Sequence, residues 1–385
     1  MNNKENGISV NQKNSKAKRV MFVSAVADFK GGAETCLKQF MNNPAIIPVL
    51  VVPEKGELSA YANENSIEVK FVNLGRVNNV RRPFKLSALF SAGIDAIRVC
   101  RKINQLAIEL NIDCIHSNGL KTHGILALRN NRGKTPLICH IHDIPYTSKE
   151  KLFWRFLAWR SNRLILVSEY CWPGELPINA HVISNAIDVK YESLFPKKIP
   201  IIINVGFIGR IHPYKGLDRA VEWLAKSRQA GIEFRFYIRG EAAPAEKGYE
   251  ILVRELIAKH VLDDYCFFEG RVSGYDNVYK DLDLVLMPSV VDEPFGLVAI
   301  ESFDQGIPCF AYPSGALPGI VEHDISGYLC KSPTDFLESL ERLIESDASY
   351  NAIRFNAHRR LKENYSIELL YEQLNFEYLE ASKNV

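Results

Sequence analysis

Two carboxylates eight positions apart, Glu293 and Glu301, flank a Pro-Phe-Gly turn in the stretch Leu284 to Glu301. The run Leu284-Val285-Leu286-Met287-Pro288-Ser289 reads as a buried parallel strand closed by polar residues. Gly296 then opens a helical pattern through Leu297, Ile300 and Phe303 that Gly306 ends. In this strand–loop–helix shape the N–H groups of Phe295, Gly296 and Leu297 lack intrahelical partners and sit at the positive end of the helix dipole, which suits a phosphate. A phosphate site with a carboxylate on either side fits a sugar nucleotide. Glu301 would accept from ribose hydroxyls, and Glu293 from hydroxyls of the sugar. The plainer alternative is two solvated acids on a loop and a helix face.

Two cations bracket a second strand-to-helix turn, Gly209-Arg210-Ile211-His212-Pro213-Tyr214-Lys215-Gly216. Arg210 offers a planar fork to a diphosphate and Lys215 a compact charge. Together they would neutralise the charge building on a departing nucleoside diphosphate; otherwise they are solvated loop cations. Gly31 and Gly32, between a first strand and a helix, allow the backbone to approach a phosphate, or form a plain turn. His142 follows a buried strand and precedes Asp143, so its neutral imidazole is placed to donate to a sugar hydroxyl. A lone histidine is more often structural, and His140 stands close by. No G-x-G-x-x-G occurs at the first turn, which counts against a nicotinamide or flavin enzyme.

The elements that must position these residues alternate strand and helix twice. Strands are read at 20–26, 47–52, 69–74, 112–116, 137–141, 164–167 and 182–183, and again at 201–208, 234–238, 266–268, 284–289 and 307–311. Helices are read at 33–41, 86–110, from 217 (with Glu222 and Lys226 as an exposed pair) and from 366. Each strand ends in small or polar residues, as at the binding edge of a doubly wound sheet. The charged, proline-bearing stretch 189–200 reads as a linker. The expected division is a disordered leader over 1–18, a Rossmann-like domain over 19–195 completed by a last helix 366–385, and a second over 196–365.

With 385 residues, the chain has length for two domains. A net charge of +2 gives no reason to expect nucleic acid as a partner. No apolar run approaches the ~18 residues of a membrane span. None of the eight cysteines forms a C-x-x-C pair, so they read as buried thiols of a cytoplasmic protein. Two segments mix cations with apolar residues, 81–102 and 151–160; they read either as packed helices with snorkelling cations or as a peripheral contact with an anionic membrane surface.

Glu293-Pro294-Phe295-Gly296 with Glu301, an E-x7-E element, together with G-R-x-x-x-x-K-G after a strand, resembles the signature of the retaining glycosyltransferases of family 4. That resemblance covers most of the chain. It implies the GT-B fold, an α/β architecture of two Rossmann-like doubly wound domains facing a central cleft, with the second binding the nucleotide sugar and the first the acceptor. Gly31-Gly32-Ala33-Glu34 looks like the family's loop over the donor phosphates, and His142 matches the histidine that positions the transferred sugar. Gly209 begins the diphosphate turn, while the strand ends at Gly240 and at Arg271-Val272 would frame the base. Gly319 stands where family members often have an acid. The implied activity is transfer of a hexose-type sugar from a nucleoside diphosphate, UDP favoured over GDP, to a glycan or lipid-linked acceptor in cell-surface polysaccharide synthesis, in the cytoplasm or at the inner membrane face. No cofactor or metal is expected, because the Arg/Lys pair supplies the neutralising charge. The alternatives are an idle sugar-nucleotide-binding partner subunit and an epimerase or phosphorylase of the same fold.

Overall fold

The computed structural model describes residues 17–29, 31–79, 86–129 and 135–383, with the side chains of 79–91 left out. The leader through residue 16 lies outside it, as do Arg81, Arg82 and Lys85 of the basic segment.

Seven parallel strands form the first sheet: β1 (Lys18–Ser24), β2 (Ile46–Val52), β3 (Glu68–Phe71), β4 (Cys114–Asn118), β5 (Leu137–Ile141), β6 (Arg163–Leu166) and β7 (Ala180–Val182). Six form the second: β8 (Ile203–Ile208), β9 (Phe234–Arg239), β10 (Cys266–Gly270), β11 (Leu284–Met287), β12 (Cys309–Ala311) and β13 (Gly327–Leu329). Their orders are 3-2-1-4-5-6-7 and 10-9-8-11-12-13. Each order reverses once, beside β1/β4 and beside β8/β11, and ligands of open α/β sheets bind at such switch points. The two doubly wound sheets are as expected. Two bounds differ from those expected: β3 stops at Phe71, and β8 begins at Ile203, with Ile201 93% exposed in the connection before it.

Apolar burial holds the halves together. One cluster joins Ile115, Ile141 and Leu166 of the first sheet's layer to Val285, Phe295 and Phe303 of the second. Another packs Phe22, Phe40 and Ile138 against Leu370, Leu374 and Tyr378 of the last helix, Ile367–Lys383. That helix is also fixed to the first half by Asn43 donating to Asn375 (2.9 Å) and Tyr371 donating to the Gln39 carbonyl (3.1 Å). One surface expectation fails. Glu222 does not pair with Lys226; its carboxylate faces His260 at 3.3 Å, because the neighbouring helix Lys247–Lys259 ends there. Of the cysteines, all are free and only Cys266 is not fully buried.

Candidate active site

The second half supplies an acid, a base and a helix end. β11 delivers Ser289, and the loop after it returns Glu293 to the same place. Ser289 Oγ donates to Glu293 Oε1, and Lys215 Nζ lies 2.5 Å from that oxygen. Glu293 is 9% exposed, so the pair is largely withdrawn from water. Backbone contacts set it: Val290 N–H donates to the Tyr214 carbonyl at 2.8 Å, Ala316 N–H to the Glu293 carbonyl at 2.9 Å, and Gly315 N–H to Asp292 Oδ1 at 3.0 Å. Arg219 clamps the strand end by donating to the carbonyls of Pro288 and Ser289.

Helix Leu297–Asp304 starts just beyond Glu293. The N–H groups of Phe295, Gly296 and Leu297 make no hydrogen bond among the described residues. The Phe295 ring turns away into the core, edge-on to Tyr365. One turn along, Glu301 accepts from the Tyr279 hydroxyl at 2.6 Å. Burial pushes the Glu301 carboxyl up to about 7, and that hydrogen bond opposes the shift.

Arg210 is exposed just after β8 and has no hydrogen-bond or ion-pair partner among the described residues. Gly209 (φ +142°) and Gly240 approach so closely that a Cβ on Gly240 would lie 1.7 Å from the Gly209 carbonyl oxygen, so only glycine fits. Arg271 donates its N–H to Glu241 at 3.4 Å and its guanidinium to the Phe29 carbonyl at 3.4 Å, bridging the halves; Val272 beside it is half-buried.

Three neighbouring strands of the first half bring up the opposite wall. β1 leads to Gly31 and Gly32, and Gly32 lies against helix Leu297–Asp304: a Cβ there would be 2.8 Å from Leu297 Cδ1. β4 ends at Asn118, and β5 runs directly into His142. His142 Nε2 lies 2.9 Å from Asn118 Oδ1, and its ring stacks on His140 with centroids 4.5 Å apart. Burial lowers His142 to about 4 and His116 to about 3, so both are neutral at ordinary pH. His140, close to His142 in the sequence, is fully buried with His116 Nε2 3.2 Å from its Nδ1, leaving His142 nearest the strand ends. Across the junction Tyr146, four residues past His142, donates to the Asp292 carbonyl at 3.1 Å, and Ser168 to the Pro294 carbonyl at 2.6 Å.

Sequence reasoning missed Ser289, Tyr279, Asn118, Tyr146 and Ser168. Asn118, Ser168 and Ser289 carried one signal, a polar residue just at the end of a buried strand; the tyrosines carried none. Among the described residues no group of three or more His, Cys, Asp or Glu is placed to hold a metal ion, and no helix is long and apolar enough to cross a membrane.

Two parallel doubly wound sheets meeting at their switch points, with an acid–base pair and a free helix N-terminus between them, define a GT-B glycosyltransferase architecture. The structure of a protein from Anabaena (HepE) in complex with UDP and glucose superposes with a TM-score of 0.75 at 21% identity, covering 93% of this chain and 98% of that one. The family description "Glycosyl transferases group 1" matches residues 191–360 and "Glycosyltransferase Family 4" residues 48–191. The chain belongs to these family 4, group 1 glycosyltransferases. Its sequence relatives include an uncharacterized glycosyltransferase of Methanocaldococcus jannaschii, 25% identical over 80% of this chain and 84% of the relative. A second, from Escherichia coli (strain K12), is named for colanic acid biosynthesis; it is 26% identical over 51% of this chain, which spans about half of that relative's length.

Proposed function

We propose that this glycosyltransferase moves a hexose-type sugar, with retention of anomeric configuration and without a metal, from UDP-sugar to a hydroxyl of a glycan or lipid-linked acceptor in cell-surface polysaccharide synthesis. The observation that carries it is the Lys215–Glu293 pair beside the unpartnered N–H groups of 295–297. In this reading the N–H groups, Lys215 and the free guanidinium of Arg210 hold the diphosphate and take up the negative charge that grows on it as the sugar leaves. Glu301 accepts from the ribose hydroxyls. Glu293, with one oxygen shared between Ser289 and Lys215, orients the sugar through the other, and His142 contacts the sugar from the opposite wall. With Glu293 engaged in orienting the sugar, the acceptor hydroxyl attacks on the face the diphosphate leaves, and the departing phosphate takes its proton. UDP is favoured because the Anabaena neighbour is described with UDP and glucose. A polysaccharide setting is supported by the name of the Escherichia coli relative.

The same reading places the first half on a membrane carrying anionic lipid. Its support is a stripe on helix Ser148–Arg160, where Leu152 (68% exposed) and Trp159 (62%) stand with exposed Lys151 and Arg155, while Trp154 and Leu157 face the core.

The experiment is proton NMR of the product formed from an α-linked UDP-hexose. An α linkage is expected; a β linkage would overturn retention.

A further inference from the structure

Asn118 joins two parts of the site. Its Nδ2 donates to the Ala33 carbonyl, just past the glycine pair, at 3.1 Å. Its Oδ1 lies 2.9 Å from His142 Nε2. The Ala33 carbonyl only accepts, so it selects the amide orientation. The flipped amide would set Oδ1 against that carbonyl, two acceptors facing each other. Oδ1 therefore faces His142, and because it too only accepts, Nε2 must carry the proton. The side chain of Asn118 is 3% exposed and held between β1's following helix and β5, so it has little freedom to turn. His142 Nδ1 has no partner among the described residues and is not sealed from solvent.

We propose that Asn118 is a positioning residue that locks His142 as the Nε2–H tautomer, so that Nδ1 presents a lone pair to a hydroxyl of the substrate. This rests on the transferase reading and reverses the role expected from sequence, in which the imidazole donates. An acceptor nitrogen selects a group that can give a proton in a hydrogen bond. A hydroxyl satisfies it, and a fluorine or hydrogen at the same carbon leaves it unpaired once the bound substrate excludes water. The titratable groups around His142 are His140, stacked on its ring, with His116 and His123 behind; burial holds all three neutral, so none competes for the proton. Asp143, next in the chain, is the nearest acid in sequence.

The test combines nitrogen NMR of histidine-labelled protein with kinetics of two variants, the His142 resonances being assigned by their loss in His142→Gln. In the unaltered protein His142 is expected to show a protonated Nε2 and a bare Nδ1. Asn118→Ala should give mixed tautomers and lower kcat about tenfold to a hundredfold, with affinity for UDP unchanged. Asn118→Asp keeps an acceptor for Nε2–H, so it should keep the tautomer. Its carboxylate raises the histidine pKa, so the acidic limb of its pH–rate profile should move upward, with activity recovering at higher pH. A protonated Nδ1 in the unaltered protein overturns the proposal. So does a tautomer unchanged in Asn118→Ala, or one that changes while kcat stays. The NMR result requires no donor, so it stands or falls apart from the transferase reading.

Discussion

Lys215 Nζ and Glu293 Oε1, 78 residues apart in the chain, lie 2.5 Å from each other where the ends of β8 and β11 meet. In the proposed reading the pair serves the cleft. Lys215→Ala and Glu293→Ala should each lower transfer about a hundredfold to a thousandfold. The double variant should lose less than the product of the two, because each single change leaves its partner unpaired. Initial rates at saturating donor, with circular dichroism to confirm folding, check this.

Arg210, unlike Lys215, has no partner among the described residues, so in the proposed reading it has none to release before it grips a phosphate. Arg210→Ala should weaken UDP binding about tenfold or more, and Arg210→Lys should restore only part of it, since a point charge cannot make the forked contact. Calorimetric titration with UDP at two salt concentrations measures both effects.

Glu301 gives a pH signature. Its carboxyl rises from 4.5 to about 7 on folding through burial, so the folded chain holds a proton there that the unfolded chain has lost. This contribution to stability is full below about 4.5 and disappears as pH rises through about 7. Donor binding, which in the proposed reading uses the carboxylate as acceptor, runs the opposite way: KM for donor should increase as pH falls below about 7. Tyr279→Phe removes the hydrogen bond that favours the ionised form, so it should move that rise in KM to higher pH. A KM flat from pH 5 to 9 would remove Glu301 from ribose binding.

The two close glycine contacts make unlike predictions. A Cβ on Gly240 meets a carbonyl oxygen at 1.7 Å, and backbone has nowhere to move; Gly240→Ala should cost about 3 kcal/mol or more. A Cβ on Gly32 meets only the end of Leu297, a side chain that can turn, so Gly32→Ala should fold normally. Thermal unfolding of the two variants, side by side, checks the contrast.

For the membrane contact, the protein should co-sediment with vesicles containing phosphatidylglycerol and leave them in high salt. Leu152→Ser with Trp159→Ser should reduce that binding about tenfold without changing the melting temperature, because both side chains already face solvent.

Fold class was legible because parallel strands covered on both faces read as unbroken apolar runs such as Leu284–Met287, and because each run is followed by a helical period. The two turns that carry the motifs were legible as strand–loop–helix units too, since each motif lies within one such unit. What could not be read were contacts between units. Nothing local in Asn118 tells that it meets both Ala33, 85 residues before it, and His142, 24 after. The Tyr279–Glu301 bond and the Tyr146–Asp292 crossing likewise depend on how the sheets are ordered and set together. Glu222 shows the reverse failure: spacing along one helix suggested Lys226, and a neighbouring helix supplied His260 instead.

The most direct measurement is release of nucleoside diphosphate from a panel of UDP- and GDP-sugars, with EDTA present, comparing the unaltered protein with Lys215→Ala. Slow release from one UDP-sugar, abolished in the variant, is the predicted result. Release that requires a divalent metal, or that persists in Lys215→Ala, would contradict a diphosphate held and neutralised by Lys215, Arg210 and the helix end at 295–297.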